Sequence, residues 1–198
     1  MNFAEVVTAV TGIVKRPDKV AEIERAINAS LSDCTVRASF AYDLVEASIP
    51  VASDSYGDTI IFNNLVVPVV TRFRKFKYVK PTAVQYYLDP IGADKIFTPG
   101  GNTQRNKYYV AGNSLTYVLG ALTTALEVGY YQYAPVLKNS EEYWMLDLMP
   151  NTIIDLAAAR IFRSIGDETS FKAFLATGMD SFKLNRNDYE DSILPIAR

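Results

Sequence analysis

The sequence predicts an α+β fold, a helical bundle formed by the N- and C-terminal helices with a β-rich antiparallel insertion between them. Apolar residues recur at steps of three and four near both chain ends, the spacing of one helix face. Between them they alternate at the period of a strand, broken by Gly, Asn and Pro. The terminal stripes also need each other, because an amphipathic helix must bury its apolar side against a partner. The expected division is 1–34 and 136–187 for the bundle, 35–135 for the insertion and 188–198 for a C-terminal tail.

Phe3, Val6, Val7 and Val10 predict a short first helix, with Gly12 as its stop. Pro17 suits a first helical turn, and Val20, Ile23, Ile27 and Leu31 then predict a second helix from Pro17 to Ser32. Its solvated face would carry Asp18, Glu22, Glu24, Arg25 and Asn28. From Thr35 the alternation of Val36, Ala38, Phe40, Tyr42 and Leu44 predicts a strand. Pro50 to Asp58 reads as a turn-rich loop. IIFNNLVVPVV reads as a hairpin with its tip at Asn63-Asn64, or as two short strands broken by Pro68. Pro99 to Lys107 reads as an exposed loop. Lys107 to Gly120 is the clearest hairpin, turning at Gly112-Asn113 or Asn113-Ser114. A last strand follows, with Val128 and Tyr130 on one side and Gly129 and Tyr131 on the other.

The C-terminal pair has the best punctuation. Pro150 opens a helix striped by Ile154, Ala157, Ala158, Ile161 and Ile165, and Gly166 closes it. Asp167 can cap the next helix, whose Phe171, Phe174, Leu175, Gly178 and Phe182 form its stripe. The run Ala157 to Ala159 leaves little side chain, so a partner helix can come close.

Chemistry is sparse. The 198 residues contain no His and one Cys, so the usual zinc sets, an internal disulfide and a His-based triad are all excluded. Cys34 reads as a small buried hydrophobe. Ser170 and Ser181 are followed by Lys two residues on, a spacing that does not share a helix face. Gly100-Gly101 lacks the Lys-Ser/Thr of a phosphate loop. The acid pairs Glu141-Glu142 and Glu190-Asp191, with Asp54 and Asp58, fit no metal loop and read as solvated faces. The expectation is therefore no enzyme, no cofactor and no metal. Net charge is only -2, so any contact with nucleic acid must be local. The start MNFAEVV lacks the marks of a signal peptide, and no apolar run approaches the roughly 20 residues of a membrane span. A chain that binds no membrane is expected.

The best local candidate for binding is RFRKFKYVK. Arg72, Arg74, Lys75, Lys77 and Lys80 interleave with Phe73, Phe76 and Tyr78, a pattern that can follow phosphates while rings stack on bases. As a strand it would put Arg72, Arg74, Phe76, Tyr78 and Lys80 on one face, and Phe73, Lys75, Lys77 and Val79 on the other. An exposed edge or interface strand explains the same residues, since edge lysines discourage unwanted pairing. The two readings are contact with DNA or an acidic partner, and a protected edge.

At the C-terminal helices Asn139 and Trp144, Pro150, Ala157 to Ala159, Gly166-Asp167, and Phe171 with Phe174 follow one another in that order. In this pattern the chain resembles the head-to-tail adaptor proteins of tailed bacteriophages, ring-forming connectors that dock beneath the portal. RPDKVAEIERAINAS, with its Ile27-Asn28 pair, is similar to the family's opening helix. The resemblance implies a structural protein of the virion neck, made in the host cytoplasm. It implies a ring of about twelve copies that continues the DNA channel and offers a platform for tail attachment. Its implied partners are further copies of itself, the portal protein, tail or second neck-ring proteins, and genomic DNA passing without sequence readout. Trp144, Pro150, Ala157, Ala158, Phe171 and Phe174 would then serve helix packing and assembly. The alternatives are a sheet-based nucleic-acid-binding module and a tail completion or terminator protein.

Overall fold

The computed structural model describes residues 1–51, 56–61, 72–92, 105–112 and 114–190. The fold is α+β, with N-terminal helices, a sheet-rich middle and C-terminal helices. The chain forms two compact units, Met1–Asp43 with Tyr133–Arg198, and Leu44–Gln132.

In the first unit α1 spans Phe3–Val14 and buries Phe3, Val6, Val10 and Val14. Its start is a reciprocal capping box: Asn2 Oδ1 accepts from the Glu5 N–H at 3.0 Å, and the Glu5 carboxylate accepts from the Asn2 N–H at 2.9 Å. Gly12 does not stop the helix; Lys15, left-handed at φ 54°, does. A 3-10 turn at Pro17–Lys19 leads into α2, Val20–Arg37. This helix runs five residues past the expected Ser32, because Cys34 and Thr35 extend the buried stripe of Ile23, Ile27 and Leu31. Val20, expected in that stripe, is exposed. Of the strand expected from Thr35 to Leu44 only Leu44 is in one, as the first residue of Leu44–Pro50; the rest is the end of a helix, an isolated bridge at Phe40 and a 3-10 turn at Ala41–Asp43.

Among the described residues three helices follow residue 133. α3 is the single turn Trp144–Leu148, α4 spans Pro150–Ser164, and α5 spans Glu168–Tyr189. Pro150 opens α4, Gly166 at φ 80° ends the connection, and the Asp167 carboxylate accepts from the Ser170 N–H at 3.0 Å, all as the punctuation predicts. α4 is the central helix and packs against α1, α2, α3 and α5. Its Ile153, Ala157, Ala158 and Ala159 are fully buried. Ile165, expected in the stripe, lies just past the helix and is exposed. α5 buries only Gly178 and Phe182.

Among the described residues the second unit holds two sheets, ordered β1-β7-β3 and β2-β6-β5-β4. The strands are β1 Leu44–Pro50, β2 Gly57–Ile61, β3 Phe73–Pro81, β4 Asp89–Pro90, β5 Lys107–Ala111, β6 Ser114–Val118 and β7 Ala125–Gln132. The hairpin β5-β6 is present, with Ala111 opposite Ser114 and Gly112 at φ 58°. Pairing is antiparallel except at β4, which joins β5 in parallel through two residues. Ile49, Val79, Leu126, Val128 and Tyr130 from one sheet share a core with Tyr108, Leu115 and Tyr117 from the other. The Asn63-Asn64 tip, Pro68, most of the loop expected at Pro99 to Lys107, Asp54, and the tail beyond Glu190 lie outside the described residues.

Candidate assembly surfaces

Of the six bundle residues singled out by sequence, Ala157 and Ala158 are buried, Trp144, Phe171 and Phe174 pack half-buried against the core, and Pro150 is half-buried at the first turn of α4. Trp144 opens α3, and its ring stacks on Tyr42 with centroids 5.1 Å apart, while Phe40 meets it edge-on at 5.0 Å. Its Nε1–H donates to Asp43 Oδ1 at 2.7 Å, and the Tyr143 hydroxyl donates to the same oxygen at 2.5 Å. Asp43 is only 5% exposed, so the carboxylate is tolerated through these charge-assisted bonds. Ala157 and Ala158 are spent on contacts within the bundle, and Phe174 stacks on Phe162 at 5.3 Å. Phe171 is half-buried and receives the Arg163 guanidinium at 5.6 Å from its ring centre.

Asn28 departs from its expected place on the solvated face. It is partly buried; its Oδ1 accepts from the Leu137 N–H at 2.7 Å and its Nδ2 donates to the Leu137 carbonyl at 3.1 Å. One side chain thus locks α2 to the segment that leads into α3. The resemblance had marked Ile27-Asn28, which was the available signal. Nothing in sequence marked Asp43, whose two donors stand 100 and 101 residues away.

The basic strand does not present the faces expected from alternation. Phe73 pairs with Gln132 and Lys75 with Tyr131, so Arg74 is an extra residue; Phe76 pairs with Tyr130 and Tyr78 with Gly129, so Lys77 is another. These two bulges reset the register. Phe73, Phe76 and Val79 pack on the sheet core, while Lys75, Tyr78 and Lys80 take the other face, and the predicted sharing of a face by Phe76 and Tyr78 is lost.

The cations are engaged locally. Arg72 Nη2 donates to Gln132 Oε1 at 2.8 Å, the Lys75 ammonium lies 5.4 Å from the centre of the Tyr131 ring, and Lys80 pairs with Glu127 at 3.2 Å. A hollow of 250 Å³ beside the strand is lined by Phe73, Arg74, Lys75, Phe76, Pro90, Ile91 and Tyr108 to Val110. Its rings largely pack on each other: Phe73 lies 4.7 Å from Phe76, and Phe76 meets Tyr108 at 6.0 Å and 90°. β3 is an edge strand protected by two cationic bulges.

On the same sheet Tyr78 crosses the central strand over Gly129 and donates its hydroxyl to the Glu46 carboxylate. Burial, and then that bond, holds the phenol above its ordinary pKa, so it remains a donor.

A groove of 160 Å³ lies between α2 and α5, with α4 as its floor. Leu156, Ala159, Phe171, Leu175, Met179 and Phe182 make it mainly apolar, and Arg37, Arg160, Arg163 and Asp33 rim it. Arg160 pairs with Asp33 across the rim. Cys34 also lines it, but burial pushes the thiol up to about 12, which leaves an unreactive wall group. Sequence reasoning missed this groove because its residues come from three helices. Among the described residues no three Cys, Asp or Glu side chains gather to hold a metal, and no helix is long and apolar enough to cross a membrane. No protein-family model matches the chain, and no curated protein matches it.

Proposed function

We propose that this protein is a head-to-tail adaptor of a tailed bacteriophage, a non-enzymatic neck protein that forms a ring under the portal and continues the DNA channel. One observation carries the reading: the helices that bear the adaptor-like motifs come from both chain ends and pack into one unit, locked by Asn28 on Leu137, while the β-rich stretch leaves it at Asp43 and rejoins it at Tyr133. Such a unit can close a cyclic interface while the inserted sheets remain available to a later tail component. The near-neutral charge suits a channel through which DNA slides without being held.

The hollow beside β3, with its rings and Arg74 and Lys75, favours a second reading as a single-strand nucleic-acid module. Purified chain mixed with portal rings, and separately with labelled single-stranded DNA, tests the two. The adaptor reading predicts co-sedimentation with portal and no salt-dependent DNA binding. Tight binding of the monomer to DNA, with affinity falling steeply as salt rises, would replace it with the module.

A further inference from the structure

The helical unit carries opposite charge at the two ends of α4. At its C-terminal end lies the groove, where Arg37, Arg160 and Arg163 outnumber Asp33 and where Leu175 is 37% exposed. At its N-terminal end α1 meets the segment leading into α3 through the Phe3 N–H, which donates to the Glu141 carbonyl at 3.0 Å. The Met1 amino group there donates to Asp147 at 2.5 Å. That hydrogen bond chiefly raises the pKa of the amine, and the charges of Asp147, Glu5 and Glu142 add to it against burial; three carboxylates against one ammonium leave this end net acidic. Leu148 and Met1, 37% and 39% exposed, give this acidic end an apolar component as well. The thirteen steps along the helix from Pro150 to Arg163 put the two ends about 20 Å apart at a helical rise of ~1.5 Å per residue.

We infer that the helical unit associates head to tail with a second copy of this chain, the acidic end of one copy at Glu5, Glu142 and Asp147 seating on the Arg37, Arg160 and Arg163 groove of the next. Charge complementarity selects this occupant. A two-fold pairing of either patch with itself would set arginines against arginines or carboxylates against carboxylates, and like charges face to face oppose association; a reciprocal two-fold contact, with each acidic end on the other copy's groove, would stop at a dimer in sedimentation velocity, and that result would overturn the head-to-tail arrangement. The heterologous arrangement satisfies both patches and covers apolar groups at each. It deepens the adaptor reading, and rests on it for the closure of such contacts into a ring.

Two charge-reversed proteins test it. One carries Arg37→Glu with Arg163→Glu, leaving the Arg160 to Asp33 pair intact; the other carries Glu142→Lys with Asp147→Lys. All four positions are exposed, and unchanged Trp144 emission checks that each protein is folded. Self-association is followed by light scattering and sedimentation velocity over a concentration series. Each variant alone now bears like charge at both ends and is expected to need at least about tenfold higher concentration than the natural chain. Mixed in equal amounts they regain opposite charges at every contact, and association is expected to return to within about threefold of the natural chain. Variants that associate as the natural chain does, or a mixture that stays apart, would overturn the inference while leaving rings on the portal to support the adaptor reading. Reversals that weaken portal capture and spare self-association assign the groove to the portal, and also overturn it. A natural chain that binds neither itself nor the portal removes both.

Discussion

Asp43→Ala is expected to destabilise the helical unit by about 3 kcal/mol, because it strips a common acceptor from two partly buried donors. The Tyr143 hydroxyl and the Trp144 indole N–H both point at Asp43 Oδ1, which is buried beside the aromatic cluster of Phe40, Tyr42 and Tyr189. Asp43→Asn keeps an oxygen and loses the charge, and a cost of about 1 kcal/mol is expected. Trp144 is the chain's one tryptophan, so its emission during urea denaturation reports this unit. The Ala variant should lower the urea midpoint by about 1 to 2 M and the Asn variant by less than half as much. Equal midpoints for the natural and Ala proteins would show that the carboxylate is no fastener.

Gly129→Ala should damage the three-stranded sheet almost as much. A Cβ there would lie 2.4 Å from Tyr78 Cε1 and 2.8 Å from Cδ1, inside any tolerable contact. Gly129 stands on the central strand, between Glu46 on β1 and Tyr78 on β3, and the bond to Glu46 holds the Tyr78 ring across it, so a shift of the ring that relieves the clash strains that bond. The expected loss is about 2 to 3 kcal/mol, overpacking plus one hydrogen bond. Amide hydrogen exchange across β1, β3 and β7 reads it out. The mechanism makes a further demand: in a Tyr78→Ala background the glycine substitution should cost less than about 0.5 kcal/mol, because the ring that clashes is gone. Additive costs would refute the account.

What sequence conveyed and what it hid divide along physical lines. Pro150, Gly166 and Asp167 are local signals acting within a turn of where they sit, and they marked α4 and α5 correctly. The β5-β6 hairpin was equally legible because its turn is set by a two-residue connection with Gly112 at positive φ. The Thr35 to Leu44 stretch misled because alternating apolar residues over so short a window also fit the last turn of a helix. There Cys34 and Thr35 continue the stripe begun at Ile23. The basic strand misled because a bulge shifts side-chain alternation without any distinctive residue; here the extra residues are Arg74 and Lys77. The Asp43 cluster, the Asn28 lock and the arginine-rimmed groove all join residues 100 or more positions apart, or three separate helices, where periodicity has no reach.

The central proposal is that many copies of this chain close into one ring on the portal. Electron microscopy of portal rings saturated with the chain measures this directly. The adaptor account predicts an added layer with rotational symmetry, an open central channel continuous with that of the portal, and a mass corresponding to a whole ring of copies. Portal rings that gain no density, or gain isolated copies without a closed ring, would contradict it.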